Sequence, residues 1–468
     1  MNTPVCDFIR DYAAGDPARM HMPGHKGQLL TGPEEGDITE IAGADVLYDA
    51  RGILRESEEN AAALFGAART VYSAEGSSLC IRGMLYLALL RAREKGIPAR
   101  LLCGRNAHRT VMTAAALLAL EIRWLTPGED LLSCEIRPEE LETELAGASY
   151  MAVLLTSPDY LGRRADIRAA AETCRRHGVP LLVDNAHGAY LRFLEENQHP
   201  LALGADACCD SAHKTLSCLT GAAYLHLSSR APEGWAQQAE EALSLFASTS
   251  PSWLILRSLD RMNLELAGDY PARLQRAAGR TAEMKNTLRQ EGWELIGNEP
   301  LKVTLNAAKR GYTGTELLER LRDAGVECEF GDRDALVMMP SAQTREQDWQ
   351  RVLSVLRNLP RRPALANRPP EAEKPERVLS IREAMLSPAE TLPPEEAVGR
   401  VLADACISCP PAVPAAIAGE RITPAVAERM RYYGVTSCRV VKSPAATAAP
   451  DAPDTGCSRP TGEGSGPF

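Results

Sequence analysis

Asp210-Ser211-Ala212-His213-Lys214 sets a hydroxyl, an imidazole and a primary amine within four positions, directly after the apolar run Ala205-Asp206-Ala207-Cys208-Cys209. A lysine at the end of a buried strand is partly desolvated, which disfavours the ammonium and frees the amine for Schiff-base chemistry. A solvated surface lysine is the plainer alternative. Two more groups sit in comparable places: His108 just beyond Leu101-Leu102-Cys103, and Asp184 at the end of Leu181-Leu182-Val183, with Asn185-Ala186-His187 next. Alone, these are a surface histidine and a helix-capping aspartate. A third feature, Glu75-Gly76-Ser77-Ser78, lies between strand-like Thr70-Val71-Tyr72 and a long apolar helix reaching Arg93. The free N–H groups of a first helical turn and neighbouring hydroxyls make an anion site, although N-capping by Ser77 or Ser78 needs no ligand.

The elements that must bring these groups together alternate along the chain. Short apolar runs at 101–103, 121–125, 150–156, 180–183, 205–209 and 222–227 are spaced by helical stretches such as 111–120 and 167–177. That alternation predicts an α/β fold with a mostly parallel sheet, in which ligands bind beyond the carboxyl ends of the strands. His108, Asp184 and Lys214 all fall at such ends. A long helix over 270–290 leads into a second α/β unit with strands at 301–305 and 335–339 and a helix at 314–324. Residues 361–376 are rich in Pro, Arg and Glu and read as a linker. Residues 1 to about 45 show no clear helix or strand period and read as an arm. That arm carries His21-Met22-Pro23-Gly24-His25-Lys26-Gly27, either an exposed turn or a segment reaching a ligand site.

A chain of 468 residues implies about two or three domains. The net charge of −10, without a long basic run, argues against nucleic acid as a partner. Neither a leader pattern nor a spanning apolar run is evident, so no membrane association is expected and the location is read as cytoplasmic. The 13 cysteines are odd in number and mostly set among apolar residues, as reduced thiols are. Cys406-x-x-Cys409 lacks a second pair and runs into Pro410-Pro411, so a structural turn is expected there and no metal site.

An aldehyde cofactor would tie the polar residues together. Pyridoxal phosphate needs a lysine, an anion cradle, a carboxylate against its ring nitrogen and a group to hold the ring plane. Lys214 can supply the first, and Gly76, Ser77 and Ser78 with Ser211 and His213 the second. Asp184 can supply the third and His108 the fourth, with His187 near the ring hydroxyl.

Seven motifs then stand in one order: His21-Met-Pro-Gly-His-Lys-Gly27, Gly104-Arg-Asn-Ala-His108, Thr156-Ser-Pro, Asp184-Asn-Ala-His-Gly-Ala-Tyr190, Ser211-Ala-His-Lys-Thr-Leu216, Ser248-Thr-Ser-Pro251 and Cys409-Pro-Pro-Ala-Val-Pro414. With them the chain resembles the bacterial ornithine/lysine/arginine decarboxylases, pyridoxal-phosphate enzymes of the aspartate-aminotransferase fold type (fold type I), and in particular their short members. The resemblance implies a large cofactor-binding domain with a mostly parallel seven-stranded sheet over 46–270 and a smaller α/β domain over 271–360. It also implies the family's C-terminal domain over 378–442, while periodicity and composition set an N-terminal arm over 1–45, a linker over 361–377 and a disordered tail over 443–468. It makes Lys214 the Schiff-base lysine, Asp184 the partner of the ring nitrogen, His108 the stacking residue, and Ser77, Ser78, Ser211 and His213 phosphate ligands. Lys214 or His213 would return the proton. His21, His25 and Lys26 are candidate substrate contacts. In the family the site forms at a dimer interface, so Thr249 or Ser250 would reach the phosphate of a neighbouring subunit. Where the family usually has Asn-Gly-Thr followed by another hydroxyl, this chain has Glu75-Gly76-Ser77-Ser78-Leu79, which sets a carboxylate beside the cradle and could weaken cofactor binding.

The activity expected is α-decarboxylation of arginine, lysine or ornithine to agmatine or a diamine, as in polyamine biosynthesis. The alternatives are another reaction of the same fold and cofactor, transamination or Cα–Cβ cleavage, or a silent cofactor-binding homologue. Glu327, Glu329 and Asp332 are candidates to face a cationic substrate side chain.

Overall fold

Seven short strands from the first half of the chain hydrogen-bond into one sheet: β1 (Arg69–Ser73), β2 (Arg100–Gly104), β3 (Glu121–Leu125), β4 (Ala152–Thr156), β5 (Leu181–Asp184), β6 (Ala207–Asp210) and β7 (Ala223–Leu227). The computed structural model describes residues 1–29, 31–125, 136–366, 369–370, 373–407 and 413–442. The strand order is β1-β7-β6-β5-β4-β2-β3. Strands β2 to β6 pair in parallel, and β7 runs antiparallel to both β1 and β6. This is the seven-stranded, mostly parallel sheet expected.

The strands read as nearly continuous apolar runs because both faces are covered. Leu101, Cys103, Leu182 and Cys209 pack into a core formed with the helices Gly76–Glu94, Arg109–Leu118 and Trp235–Ser244. Their neighbours Leu102, Leu181, Val183 and Cys208 point the other way, toward the helices Pro138–Gly147 and Ile167–Arg176. Each fully buried leucine stabilises the stack by about 1.5–3 kcal/mol. A third core covers the β1 and β7 edge with the helices Ile53–Phe65, Trp253–Ala267 and Tyr270–Gln290.

The smaller unit is an antiparallel sheet of β8 (Leu295–Ile296), β9 (Val303–Asn306), β10 (Phe330–Gly331) and β11 (Ala335–Met338), in the order β10-β11-β9-β8. The helices Gly314–Asp323 and Glu346–Arg357 cover it. Beyond it, the helices Ile381–Leu386 and Pro424–Tyr432 and two strand pairs form the C-terminal unit, which docks on both others. Buried Arg105, just past β2, makes a two-pronged ion pair with buried Glu420 (2.7 and 2.8 Å). Tyr432 and Tyr433 donate their hydroxyls to Asp334 of the smaller unit (2.6 and 3.0 Å).

The N-terminal segment departs from its reading as an irregular arm, because Pro4–Ala14 is a helix. Its stripe of Val5, Phe8, Ile9 and Tyr12 follows the i, i+3, i+4, i+7 helical spacing, and Val5 and Ile9 are buried against the third core. Asp260, on the helix Trp253–Ala267, accepts from the Cys6 N–H (2.9 Å). The stripe is one helix long, too short to stand out beside the irregular residues that follow. The expected tail over 443–468 and residues 409–412 of the Cys-Pro-Pro motif lie outside the described residues. Among the described residues, no helix is long and apolar enough to cross a membrane.

Candidate active site

Sheet register brings Asp184 and Lys214 to one edge. Asp184 ends β5 level with Thr156 of β4 and Cys209 of β6. One residue further β6 ends, and the short helix Ala212–Thr215 carries Lys214 back over the edge. Lys214 Nζ stands 3.2 Å from Nε2 of His187, three residues beyond Asp184.

Asp184 is only 2% exposed, and its carboxylate accepts from the Ala186 N–H (3.2 Å) and the Cys209 thiol (3.6 Å), neither of them charged. Burial, and next the charge of Asp184, pushes the Cys209 thiol far up in pKa, so it stays protonated. A buried carboxylate with only neutral donors suits a protonated ring nitrogen, and in this respect the donor set fits pyridoxal phosphate.

The cradle assembles from three elements. Gly76 opens the helix Gly76–Glu94 with φ +73°, a conformation that L side chains avoid. Ser211 Oγ donates to Ser77 Oγ (2.8 Å), and Thr110 Oγ1 donates to Ser78 Oγ (3.1 Å). Ser77, Ser78 and Ser211 therefore meet at the N-terminus of a 19-residue helix, where free N–H groups and the helix dipole favour an anion. His108 is the N-cap of the helix Arg109–Leu118, its Nδ1 accepting from the Thr110 N–H (3.3 Å), and so it stands next to Ser78 through Thr110. His213 Nδ1 donates to the Ala222 carbonyl (2.9 Å), which leaves Nε2 as the ring's acceptor, and burial lowers its pKa.

Other candidates are placed elsewhere. His21 bonds Tyr12 (2.6 Å), His25 bonds Asp37 (3.3 Å), and the Lys26 amine reaches the His21 carbonyl, all within the first part of the chain. Thr249 and Ser250 are exposed. Their segment is fastened by the Ser248 N–H, which donates to Glu75 Oε1 (2.7 Å), so the carboxylate beside the cradle is engaged in holding that loop. Of the three acidic candidates, Glu327 pairs with Arg322 (3.1 Å) and Asp332 accepts from the Asp334 and Ala335 N–H groups (2.8 and 2.6 Å). Glu329 alone among them reaches toward the site: it accepts from the Tyr160 hydroxyl (3.1 Å), and the Tyr160 ring lies edge-on to His187 at 5.7 Å.

Lys302 had no place in the sequence reading. It sits at a polar position of the alternating run Leu301-Lys302-Val303-Thr304-Leu305, a pattern that ordinarily sends polar residues to water. Here β9 faces the large domain, Lys302 is 4% exposed, and its Nζ lies 3.3 Å from His187 Nδ1. His187 thus stands between two lysines, and burial followed by the charges of Lys302 and Lys214 holds its pKa well below the usual histidine value. Burial likewise pushes Lys302 down to about 8, against the pull of Glu299 and Asp159.

Three comparisons with known proteins bear on the family and the fold. Uncharacterized protein YaaO of Bacillus subtilis (strain 168) is 28% identical over 471 residues, covering 90% of this chain and 92% of its own. An arginine decarboxylase of Bacillus anthracis is 26% identical over 459 residues, covering 90% and 91%. The solved constitutive lysine decarboxylase of E. coli superposes with a TM-score of 0.75 at 18% identity, over 94% of this chain and 82% of that one, a likeness of fold. Residues 3–304 match the family model described as Orn/Lys/Arg decarboxylase, major domain, and the chain belongs to that family of pyridoxal-phosphate-dependent decarboxylases.

Proposed function

We propose that this chain removes the α-carboxylate of arginine, lysine or ornithine, giving agmatine or a diamine, with arginine the first substrate to try because several of its relatives are named arginine decarboxylases. The observation that carries the reading is the convergence at one sheet edge of Lys214, the buried Asp184 and the three serines at a helix N-terminus.

Bound pyridoxal phosphate supplies a sink for the electron pair left on Cα when the carboxylate departs. The protein's residues do the rest. Lys214 anchors the cofactor, and Asp184 keeps the ring nitrogen protonated. Ser77, Ser78, Ser211 and the first-turn N–H groups would hold the phosphate, His108 would supply a flat face to the ring, and His187 would serve the ring hydroxyl. The Lys214 amine is the group able to return a proton to Cα directly, whereas the His213 ring, its Nδ1–H committed to the Ala222 carbonyl, would first have to take one up on Nε2. A second copy of the chain would bring its own Thr249 or Ser250 to the phosphate, as a homodimer. Glu329 is the carboxylate offered to a guanidinium or ammonium side chain.

Incubation with arginine, lysine and ornithine, recording CO₂ against keto-acid release, tests the reading. CO₂ from one of the three supports it; keto acid, or bound chromophore with no turnover on any of them, overturns it. Glu329→Gln should raise KM for the accepted substrate by about tenfold or more, the worth of one charge-assisted contact.

A further inference from the structure

Lys302 and His187 form a hydrogen-bonded array whose directions can be worked out from donors and acceptors. The Lys302 Nζ is 3.1 Å from the Asp159 carbonyl, 3.1 Å from the Tyr160 carbonyl and 3.3 Å from His187 Nδ1. Carbonyls only accept. An ammonium has three N–H groups, so the third is left for His187 Nδ1, which must offer its lone pair. A neutral imidazole carries one proton, and it then lies on Nε2, the atom 3.2 Å from Lys214 Nζ; this arrangement takes Lys214 as the unprotonated amine, whose lone pair accepts from Nε2–H, since an ammonium has none to offer.

The position of Lys302 is fixed by packing as well as by these bonds. Its stem runs over Gly162, where a Cβ would come 3.2 Å from Lys302 Cδ, and its amine lies 5.7 Å from the centre of the Tyr160 ring. The backbone N–H of Lys302 is held by the Glu299 carboxylate. The ionisable groups bearing on Lys302 are Glu299, Asp159, Lys214 and Glu329, and those bearing on His187 are Lys302, Lys214, His108 and His213.

We propose that Lys302 is a positioning residue: it fixes His187 as the Nε2–H tautomer, so that the ring presents a hydrogen-bond donor, and not an acceptor, at the nitrogen of Lys214. This rests on the proposed function only in taking Lys214 as the reacting amine. The two fail separately, because a protein that decarboxylates nothing still has a His187 tautomer to read. A fixed N–H donor also suits an anionic oxygen on a ligand bound against Lys214, and an acceptor there would repel it. Loss of the Lys302 proton reverses the logic: a neutral amine gives two N–H groups to the carbonyls and offers its own lone pair to Nδ1–H. With Lys302 held down to about 8, the array should change state as the pH rises past that value.

The test is nitrogen NMR of the full chain labelled with [15N]histidine and purified without added cofactor, the His187 signals among the 8 histidines being assigned by their loss in His187→Gln. Wild type should carry the proton on Nε2 at pH 7 and shift toward the Nδ1–H form between pH 8 and about 10. Lys302→Met, which removes the donor, should lose the Nε2–H preference already at pH 7 and lose the pH response. Lys302→Gln, which keeps an uncharged donor, should hold the Nε2–H form across the whole range. A wild-type ring with the proton on Nδ1 at pH 7, a wild-type ring unchanged from pH 6 to 10, or a folded Lys302→Met indistinguishable from wild type would each overturn the proposal. The wild-type titration decides the matter even if a variant fails to fold.

Discussion

Two buried imidazole clusters lie near the ends of β5 and β6, and they are built on opposite plans. At the first, the Asp210 carboxylate accepts from Asn185 Nδ2 (2.7 Å) and His199 Nε2 (2.9 Å), with His226 Nε2 at 3.5 Å. All four residues are fully buried, and burial, which would raise the Asp210 pKa, is outweighed by the two imidazoles, so it ends below the ordinary value. The carboxylate is surrounded by donors, which is how a buried charge is made structural. At the second, Lys214, His187 and Lys302 set two amines on one neutral ring, and the ring's pKa is driven down by burial and by both of them. One cluster turns donors onto a single buried carboxylate; the other holds like groups together and leaves the Lys214 amine at an open edge. Compensation marks a brace, and its lack marks a place where a ligand completes the electrostatics.

The contrast is broken most directly at Lys214. Lys214→Ala should abolish both turnover and the covalent capture of pyridoxal phosphate by borohydride, read by mass spectrometry of the active-site peptide. Full turnover in that variant would remove the basis for calling the second cluster reactive. Asp184→Asn keeps the shape and removes the charge; kcat should fall about 100-fold or more, the size expected when one electrostatic partner of the reacting centre is lost. A small change would mean that the buried carboxylate belongs with the brace.

Asp210→Ala addresses the other side. It leaves the Asn185 amide and a His199 N–H buried without their acceptor, at a cost of about 3 kcal/mol in urea denaturation, while kcat per folded molecule changes little. The sign with pH follows from the depressed pKa of Asp210: its contribution is present above the unfolded value of about 4 and is lost as the pH falls below it. The denaturation midpoint should therefore drop between pH 5 and 3 in wild type, and drop less in Asp210→Asn. Unchanged stability with lost turnover would merge the two clusters into one site.

What could be read in advance follows from the same distinction. The sheet was legible because strands covered on both faces are apolar at every position, and alternation with helices restricts them to a parallel order. Asp184, Lys214 and the serines were legible because polar residues at strand ends fall where such sheets bind ligands. Lys302 was not, since its place one residue before β9 is buried against Asp159 and Tyr160 after β4, and nothing in its alternating run distinguishes that from water. His199 and His226 were missed for a related reason: they lie 11 residues before and 16 residues after Asp210, and only register gathers them.

His108 belongs to neither plan in full, which makes it the finest division between them. Its ring is expected to lie against the cofactor, but in the protein itself Nδ1 caps the helix Arg109–Leu118 by accepting from the Thr110 N–H. His108→Phe keeps a flat ring and removes the acceptor. If bracing is its main work, the variant should lose about 1 kcal/mol of stability, the worth of one N-cap, and retain cofactor affinity in an absorbance titration with pyridoxal phosphate. If the imidazole's polarity also serves the cradle through Thr110 and Ser78, the titration midpoint should rise as well. Because the stacking surface is common to both rings, any loss of affinity in His108→Phe reports on the hydrogen bonds and not on the ring face.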